Sequence, residues 1–325
     1  MLQIFFNKSV RWMLGVVWLT FSAVGLAQNN ANQPITLIIP YPPGGSADML
    51  ARPMLPDLQK ILGQTIVLDY KGGAGGTIAT SALARAKPDG QTIILILTAH
   101  AINDALYPSL PYDTRKDFAP VSLVATLPLL VAAPLSSPFN TIPELIAYAK
   151  ANPDKLSYAS AGNGNTSHLS VELFKTQTGT KMVHIPYKGS GPAVIAMLGN
   201  EVSVMFDSIS TSFQQVKAGK LKAIAVSSLE RAAILPNTPT IAETLPGFEV
   251  TVWYGILAPA GTPAAAINRL SQAFAEVGAE PKVRAQLAES GYTTVGSSPA
   301  AFGTHIDAEL IKWNKAVKDS GATIQ

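Results

Sequence analysis

Short apolar runs rich in Val, Ile and Leu alternate with longer segments of helical periodicity along most of this chain. The runs fall at 35–39, 65–69, 92–97, 122–132, 156–160, 182–186, 202–206, 221–226 and 250–257. Most are continuous rather than alternating in polarity, which suits strands covered by helices on both faces. Helical patterns occupy 48–62, 77–86, 142–151, 167–178, 192–198 and 209–218, and three more follow at 264–277, 281–289 and 299–318. Repeated strand–loop–helix units predict an α/β fold with mainly parallel sheets. Pro53 and Pro56 fall inside the first helical pattern. Each removes a hydrogen bond and crowds the preceding turn, so a kink or short break is expected there.

At 325 residues the chain has room for about two domains. Two proline-punctuated extended segments, 118–134 and 248–263, are candidate crossovers between them. The expected organisation is a leader at 1–27, a discontinuous first lobe at 28–127 and 251–325, and a second lobe at 128–250.

The leader reading rests on Lys8 and Arg11, followed by an uncharged apolar run at 12–27 that ends in Gly25-Leu26-Ala27. That is the layout of a secretory signal peptide cleaved near Ala27. An uncleaved anchor is the alternative, although the run is short for a span of about 20 residues. The expected location is periplasmic, with no stable membrane insertion after cleavage. The absence of Cys excludes disulfides, thiolate metal sites and a Cys nucleophile. A formal net charge of +3, scattered along the chain, leaves no nucleic-acid footprint.

Four loops rich in Gly and small residues stand between a strand and a helix: 41–48, 71–77, 160–168 and 187–192. In parallel α/β domains such loops lie at the carboxyl ends of strands, where ligands bind. Free main-chain N–H groups and the positive end of the helix dipole make each a potential anion site. A hydrogen bond to a charged group contributes roughly 1.5–3 kcal/mol, and a helix N-terminus roughly 0.3–1 kcal/mol. Four or five such contacts reach the roughly 8 kcal/mol of a micromolar Kd without any Arg. Tight turns with helix caps are the plainer reading of any one loop.

No P-loop, G-x-G-x-x-G, G-x-S-x-G or H-E-x-x-H pattern occurs, and the four His lack ligand spacing. His168 opens a helical pattern, where it either donates to a ligand carboxylate or faces solvent. Asp207 ends an apolar run and either binds a ligand group or caps the next helix. Asp48 and His100 read as structural, His184 as core or surface, and His305 as solvated. Tyr41 and Tyr187 flank glycine loops and are placed to wall a cleft. A triad of Ser167 or Ser190 with His168 and Asp207 can be drawn, but no spacing demands it.

Read in order, several motifs resemble the extracytoplasmic solute receptors of tripartite tricarboxylate transporters, the Bug family. They are Ile39-Pro40-Tyr41-Pro42-Pro43-Gly44-Gly45-Ser46-Ala47-Asp48, Gly73-Ala74-Gly75-Gly76, Leu110-Pro111-Tyr112-Asp113, Lys116-Asp117-Phe118-Ala119-Pro120-Val121, Tyr158-Ala159-Ser160-Ala161-Gly162-Asn163-Gly164, Pro186-Tyr187-Lys188-Gly189 and Tyr254-Gly255-Ile256-Leu257-Ala258-Pro259. The resemblance implies a two-lobed, type II periplasmic-binding-protein fold, each lobe a mixed, mainly parallel sheet flanked by helices. It also implies Venus-flytrap closure on a small carboxylate: a di- or tricarboxylate, an amino acid or an aromatic acid. Integral membrane transporter subunits would be the partners, the receptor a monomer, and no cofactor or metal is expected. By motif position it assigns ligand contacts to Tyr41, Gly44, Gly45, Ser46, Ala47, Thr98, Ala99, Ser160, Gly162, Thr166, His168 and Asp207. Asp69-Tyr70-Lys71-Gly72 replaces the family's usual run before Gly-Ala-Gly-Gly, and Pro53 and Pro56 are unusual in the first helix. The alternatives are an exported hydrolase of small esters or amides and a ligand sensor for a membrane kinase.

Overall fold

The computed structural model describes residues 33–153 and 155–323. The expected leader at 1–27 and its cleavage site lie outside the described residues. The strands are β1 (Ile35–Ile39), β2 (Ile66–Tyr70), β3 (Thr92–Leu97), β4 (Phe118–Pro134), β5 (Ser157–Ser160), β6 (Val183–Pro186), β7 (Val204–Ser208), β8 (Leu221–Val226), β9 (Thr251–Pro259) and β10 (Thr293–Thr294). The helices are α1 (Ser46–Leu62), α2 (Thr77–Ala84), α3 (Ala99–Leu106), α4 (Ile142–Ala151), α5 (Thr166–Thr178), α6 (Ser190–Leu198), α7 (Ile209–Lys217), α8 (Ala264–Ala279), α9 (Pro281–Ala288) and α10 (Pro299–Ser320).

The strands run in the order β2-β1-β3-β9-β4-β7-β5-β6, with β8 and β10 both added to β4. The pairs at the two flanks are parallel: β1 with β2 and β3, and β5 with β6 and β7. Those in the middle are antiparallel, because β4 and β9 run against each other and against their neighbours. The parallel flanks are covered by helices, and β3 is buried from Ile93 to Leu97, as a continuous apolar run requires. The result is a two-lobed mixed α/β fold.

The two candidate crossovers pair with each other, from Phe118 opposite Pro259 to Pro128 opposite Thr251. One residue later β4 changes partner, and Leu129 faces Ser208 of β7. The 17-residue β4 therefore belongs to one flank in its first part and to the other in its last.

Helix α1 runs unbroken through Pro53 and Pro56, against expectation. Leu50, Met54, Leu58 and Leu62 form a buried stripe at helical spacing. Leu50, Met54 and Leu58 meet Leu37, Leu95 and Ile256 around a void of about 10 Å³. Each side chain of the four-residue stripe contributes roughly 1.5–3 kcal/mol, so together they match or exceed the cost of roughly 3 kcal/mol per proline. Pro56 stands on the exposed side of the helix, where water can reach the freed carbonyl. No helix among the described residues is long and apolar enough to cross a membrane.

Candidate functional site

The loop after β1 turns at Gly44, whose φ of +81° a glycine adopts without strain. Gly45 is the N-cap of α1 and has no side chain to cap it. Asp48 turns back and accepts from Gly44 N at 2.8 Å, from Arg52 Nε at 2.9 Å and from the Tyr70 hydroxyl. Burial raises the Asp48 carboxyl, but the bonds from Tyr70, Arg52 and Gly44 outweigh it and hold it below the usual range. Burial and the neighbouring Asp48 push Tyr70 up to about 12. Asp48 thus fixes the loop from behind. Tyr70, in the stretch that departs from the family pattern, is one of its anchors.

The second loop ends in a short 3-10 turn, Ala74–Gly76. Gly75 O accepts from Asn103 Nδ2 at 3.0 Å and from the Tyr41 hydroxyl at 3.3 Å. This loop meets the third one closely: a Cβ on Gly75 would lie 2.6 Å from Asn163 O.

The third loop opens α5. Asn165 caps the helix, its Oδ1 accepting from Ser167 N at 3.0 Å, while Ser167 Oγ accepts from Ala161 N at 2.9 Å. Two histidines hold the loop from outside. Ser160 Oγ lies 2.6 Å from His184 Nε2, and Gly164 N donates to His168 Nδ1 at 3.3 Å. The two imidazoles stack at 4.1 Å and 4°, and His184 also stacks on Tyr158 at 4.7 Å. Burial pulls His168 down to about 4 and His184 to about 3, so both are neutral near pH 7. Ser160 and His184 form a serine–histidine pair, but His184 has no acidic partner among the described residues and Ser160 is fully buried.

The fourth loop is tied to the third by Tyr187 N to Ser160 O at 3.0 Å and Gly189 N to Ala161 O at 3.1 Å. Gly189, at φ +111°, is the N-cap of α6 and again offers no side-chain cap. The helices α1, α5 and α6 therefore point their N-termini at one place. There a small inner hollow of about 40 Å³ is lined by Gly45, Ser46, Thr166, Gly189 and Ser190 among others. Tyr41, Pro42, Ala161, Lys188 and Gly189 also line a second hollow of about 480 Å³, which opens outward between the loops. That volume falls in the range of roughly 300–1,000 Å³ usual for small-molecule sites. Main-chain N–H groups at uncapped helix starts favour an anion. Among the described residues Lys188 is the one charged side chain lining either hollow, and no cluster suits a metal ion.

The residues singled out by motif do not all reach these hollows. Tyr41, Gly45, Ser46 and Thr166 line the inner one and Gly162 the outer one. Gly44 is turned towards Asp48, Ala47 is buried in the first turn of α1, and Ser160 faces His184. Thr98 Oγ1 accepts from Trp253 N at 2.9 Å, and Ala99 borders a separate void of about 10 Å³. The strand-end residue at the inner hollow is Leu97 instead. His168 opens on a different hollow, with Glu172, Lys175 and 321–323, because α5 carries it to the outer side of its loop. It bonds neither a serine nor Asp207, so the triad drawn on paper does not assemble. Asp207 is fully buried, lines neither hollow, and accepts from Ser212 at 2.5 Å and from Thr211; among the described residues its Oδ1 makes no hydrogen bond. Burial pushes its carboxyl above the usual range. His100 is buried between Tyr112 and Phe118, whereas His305 packs edge-on to Trp253 at 5.2 Å rather than standing free in water. Motif matching omitted Asn165, Lys188 and Ser190, although their loops carried the glycine signal. Ser208 and Val252 end or begin apolar strands and gave no signal.

A two-lobed α/β frame with a ligand-sized hollow where its loops meet defines the class of periplasmic binding proteins. The profile described as "Tripartite tricarboxylate transporter family receptor" matches residues 50–322. The "UPF0065 protein in tcbD-tcbE intergenic region" of Pseudomonas sp. (strain P51) is 38% identical over 288 residues, covering 88% of this chain and 86% of that protein. Among solved structures, periplasmic binding protein BugD superposes with a TM-score of 0.86 at 36% identity, covering 90% of this chain and 99% of BugD. R. palustris Rpa4515 with adipate superposes at 0.88 and 35% identity, covering 91% and 100%. The chain belongs to the tripartite tricarboxylate transporter receptor family, the Bug receptors.

Proposed function

We propose that the protein is a periplasmic receptor that captures a small carboxylate between its lobes and delivers it to integral membrane subunits of a tripartite tricarboxylate transporter. The carrying observation is the convergence of three helix N-termini, two of them without a side-chain cap, on one hollow. The main-chain N–H groups of Ser46, Ser190 and Gly191, with the hydroxyls of Ser46, Thr166 and Ser190, are the groups we assign to the carboxylate. Gly44, Ser160, His168 and Asp207 act by shaping the loops that present them, and Thr98 by bonding β9. The lobes we assign are 28–127 with 251–325, and 128–250, with β4 and β9 as the strands between them. A leader cleaved near Ala27 would export the chain. The related Rpa4515, solved with adipate, supports a carboxylate ligand.

Calorimetry and thermal shift against paired carboxylates and amides test this reading. A ligand that binds only the folded state raises the melting temperature. Glutarate or benzoate is expected to do so where the corresponding amide does not. Amides that stabilise as well as their acids would overturn it.

A further inference from the structure

We propose that Tyr292 is a positioning residue for lobe closure: its hydroxyl ties the first turn of α1, which meets the ligand, to the first turn of α7 in the opposite lobe. This rests on the lobe boundaries and the carboxylate-receptor reading proposed above. Tyr292 lies between α9 and β10, distant along the chain from both helices, and is buried. Its hydroxyl is 2.6 Å from Ser46 O and 3.0 Å from Ser210 Oγ. A carbonyl only accepts, so the single hydroxyl proton goes to Ser46 O and the Ser210 hydroxyl donates to Tyr292. Ser46 lines the inner hollow from the first lobe. Ser210 belongs to the second lobe and follows shortly after Ser208, which lines the same hollow.

The neighbours of Tyr292 give its hydroxyl leverage on both lobes. Thr293 and Thr294 pair with Thr126 and Ala125 of β4, just before that strand leaves β9 for β7. Gly291, at φ +86°, sits so close to α7 that a Cβ would fall 2.7 Å from Ile209 Cγ2 and 3.0 Å from Ile234 Cδ1. The segment is thus wedged where the chain passes from one lobe to the other, and Tyr254 of β9 packs edge-on to the Tyr292 ring at 5.7 Å. In the first turn of α7, Ile209 meets this wedge, Ser210 bonds the hydroxyl, and Thr211 and Ser212 bond Asp207. Moving α7 away from α1 therefore breaks the Ser210 bond and strands a buried donor, whereas the Ser46 bond stays within the first lobe. A bond made in one arrangement of the lobes favours that arrangement, and apparent affinity follows the fraction of protein that is ready to bind.

The test reads the lobe arrangement of the purified protein directly. The chain has no Cys, so Lys60→Cys on α1 and Lys150→Cys on α4 take spin labels at one exposed position in each lobe. Double electron–electron resonance then gives the distance between the labels, with and without glutarate or benzoate. Tyr292→Phe and Ser210→Ala are each expected to broaden the distance distribution of the unliganded protein. Calorimetry should show each weakening glutarate or benzoate roughly fivefold, the size of one hydrogen bond. The double variant should bind about as well as Tyr292→Phe alone, because the same bond is lost in both. Ser210→Ala cuts only the arm between the lobes and keeps the test decisive if Tyr292→Phe fails to fold. Variants that lower the melting temperature but keep wild-type distances and affinities would overturn the proposal. So would a Ser210→Ala protein that matches the wild type while Tyr292→Phe does not, since the tie would then lie within one lobe. If the wild type binds neither carboxylate, the carboxylate reading fails, and the distances in the unliganded protein still decide this proposal.

Discussion

The Tyr41 hydroxyl accepts a hydrogen bond from the Asn165 side-chain amide at 2.8 Å, joining the first glycine loop to the third. It donates onward to Gly75 O of the second loop at 3.3 Å. One buried hydroxyl therefore holds together three loops that the chain supplies from distant positions. Burial pushes the Tyr41 hydroxyl well above the usual tyrosine range, so it keeps its proton and its donor role at any working pH.

Tyr41→Phe removes both bonds and leaves the Asn165 amide buried without its acceptor. Stranding a buried donor costs about 1–3 kcal/mol. Chemical denaturation should register that loss with an unchanged m-value. Asn165→Ala also removes the cap of α5 and should cost roughly a further 0.5–2 kcal/mol, but the double variant should fall short of the sum of the two because the Tyr41–Asn165 bond is counted in both. Strict additivity of the two variants would show that the hydroxyl and the amide act separately.

Gly75→Ala tests the close approach of the second and third loops. The added Cβ would meet Asn163 O at 2.6 Å and Asn103 Oδ1 at 3.2 Å. Gly63 supplies the control, with a matching φ of +60° against +62° and nothing within 4 Å of its Cβ. Both substitutions impose the left-handed penalty of roughly 1–2 kcal/mol, but only Gly75→Ala forces the loops apart. Carboxylate affinity is expected to fall roughly tenfold or more in Gly75→Ala and to stay near wild type in Gly63→Ala, while small-angle scattering reports a more open Gly75→Ala form. Equal affinities in the two variants would remove the idea that this contact sets closure.

How much of this was legible in the sequence depends on the reach of the interaction. The continuous apolar runs located most strands to within a residue or two, because burial on both faces leaves a local signature; β4 begins four residues before its run, and the two-residue β10 left no run at all. The glycine loops marked the strand–helix junctions for the same reason. The pairing of β4 with β9 was not legible, since register between segments more than a hundred residues apart has no local trace. Nor was the orientation of His168. Position in the first turn of α5 is consistent with facing the hollow or facing away, and stacking on His184 decides it. The unbroken α1 shows local propensity overruled by the packing of Leu50, Met54 and Leu58.

The stacked histidines predict an acid-labile third loop. Burial depresses His168 to about 4 in the folded protein, against about 6.5 unfolded. Between these values the unfolded chain binds the proton and the folded one does not. Stability is thus present above pH 6.5 and lost as pH falls towards 4, with a slope of at most about 1.4 kcal/mol per pH unit for this group. His184, depressed to about 3, extends the window downward. Protonation at His168 Nδ1 would also end its role as acceptor from Gly164 N. His168→Asn keeps an acceptor near Nδ1 without the titration, and should make the fall in melting temperature between pH 6.5 and 4 shallower, the remainder coming from His184 and the buried His100, whose values burial also depresses. A profile as steep as the wild type would assign the pH dependence to other groups.

Gly255 lies in the middle of β9, facing Leu123 of β4 on one side and Ile96 of β3 on the other. A Cβ there would fall 1.9 Å from Phe302 Cζ, and Phe302 is fully buried against Trp253 with ring centres 5.8 Å apart. The ring cannot retreat into a packed interior, and the strand is held on both edges. Gly255→Ala is therefore expected to cost at least about 1–3 kcal/mol, the usual range for overpacking. Phe302→Leu alone should also destabilise, by loss of ring contacts and an unfilled space. Combined, they should be less damaging than the sum, because the smaller side chain makes room for the methyl group. Denaturation midpoints of the wild type, both single variants and the double variant measure that coupling directly. Additive losses would mean that Gly255 is required by the backbone of β9 rather than by the ring of Phe302.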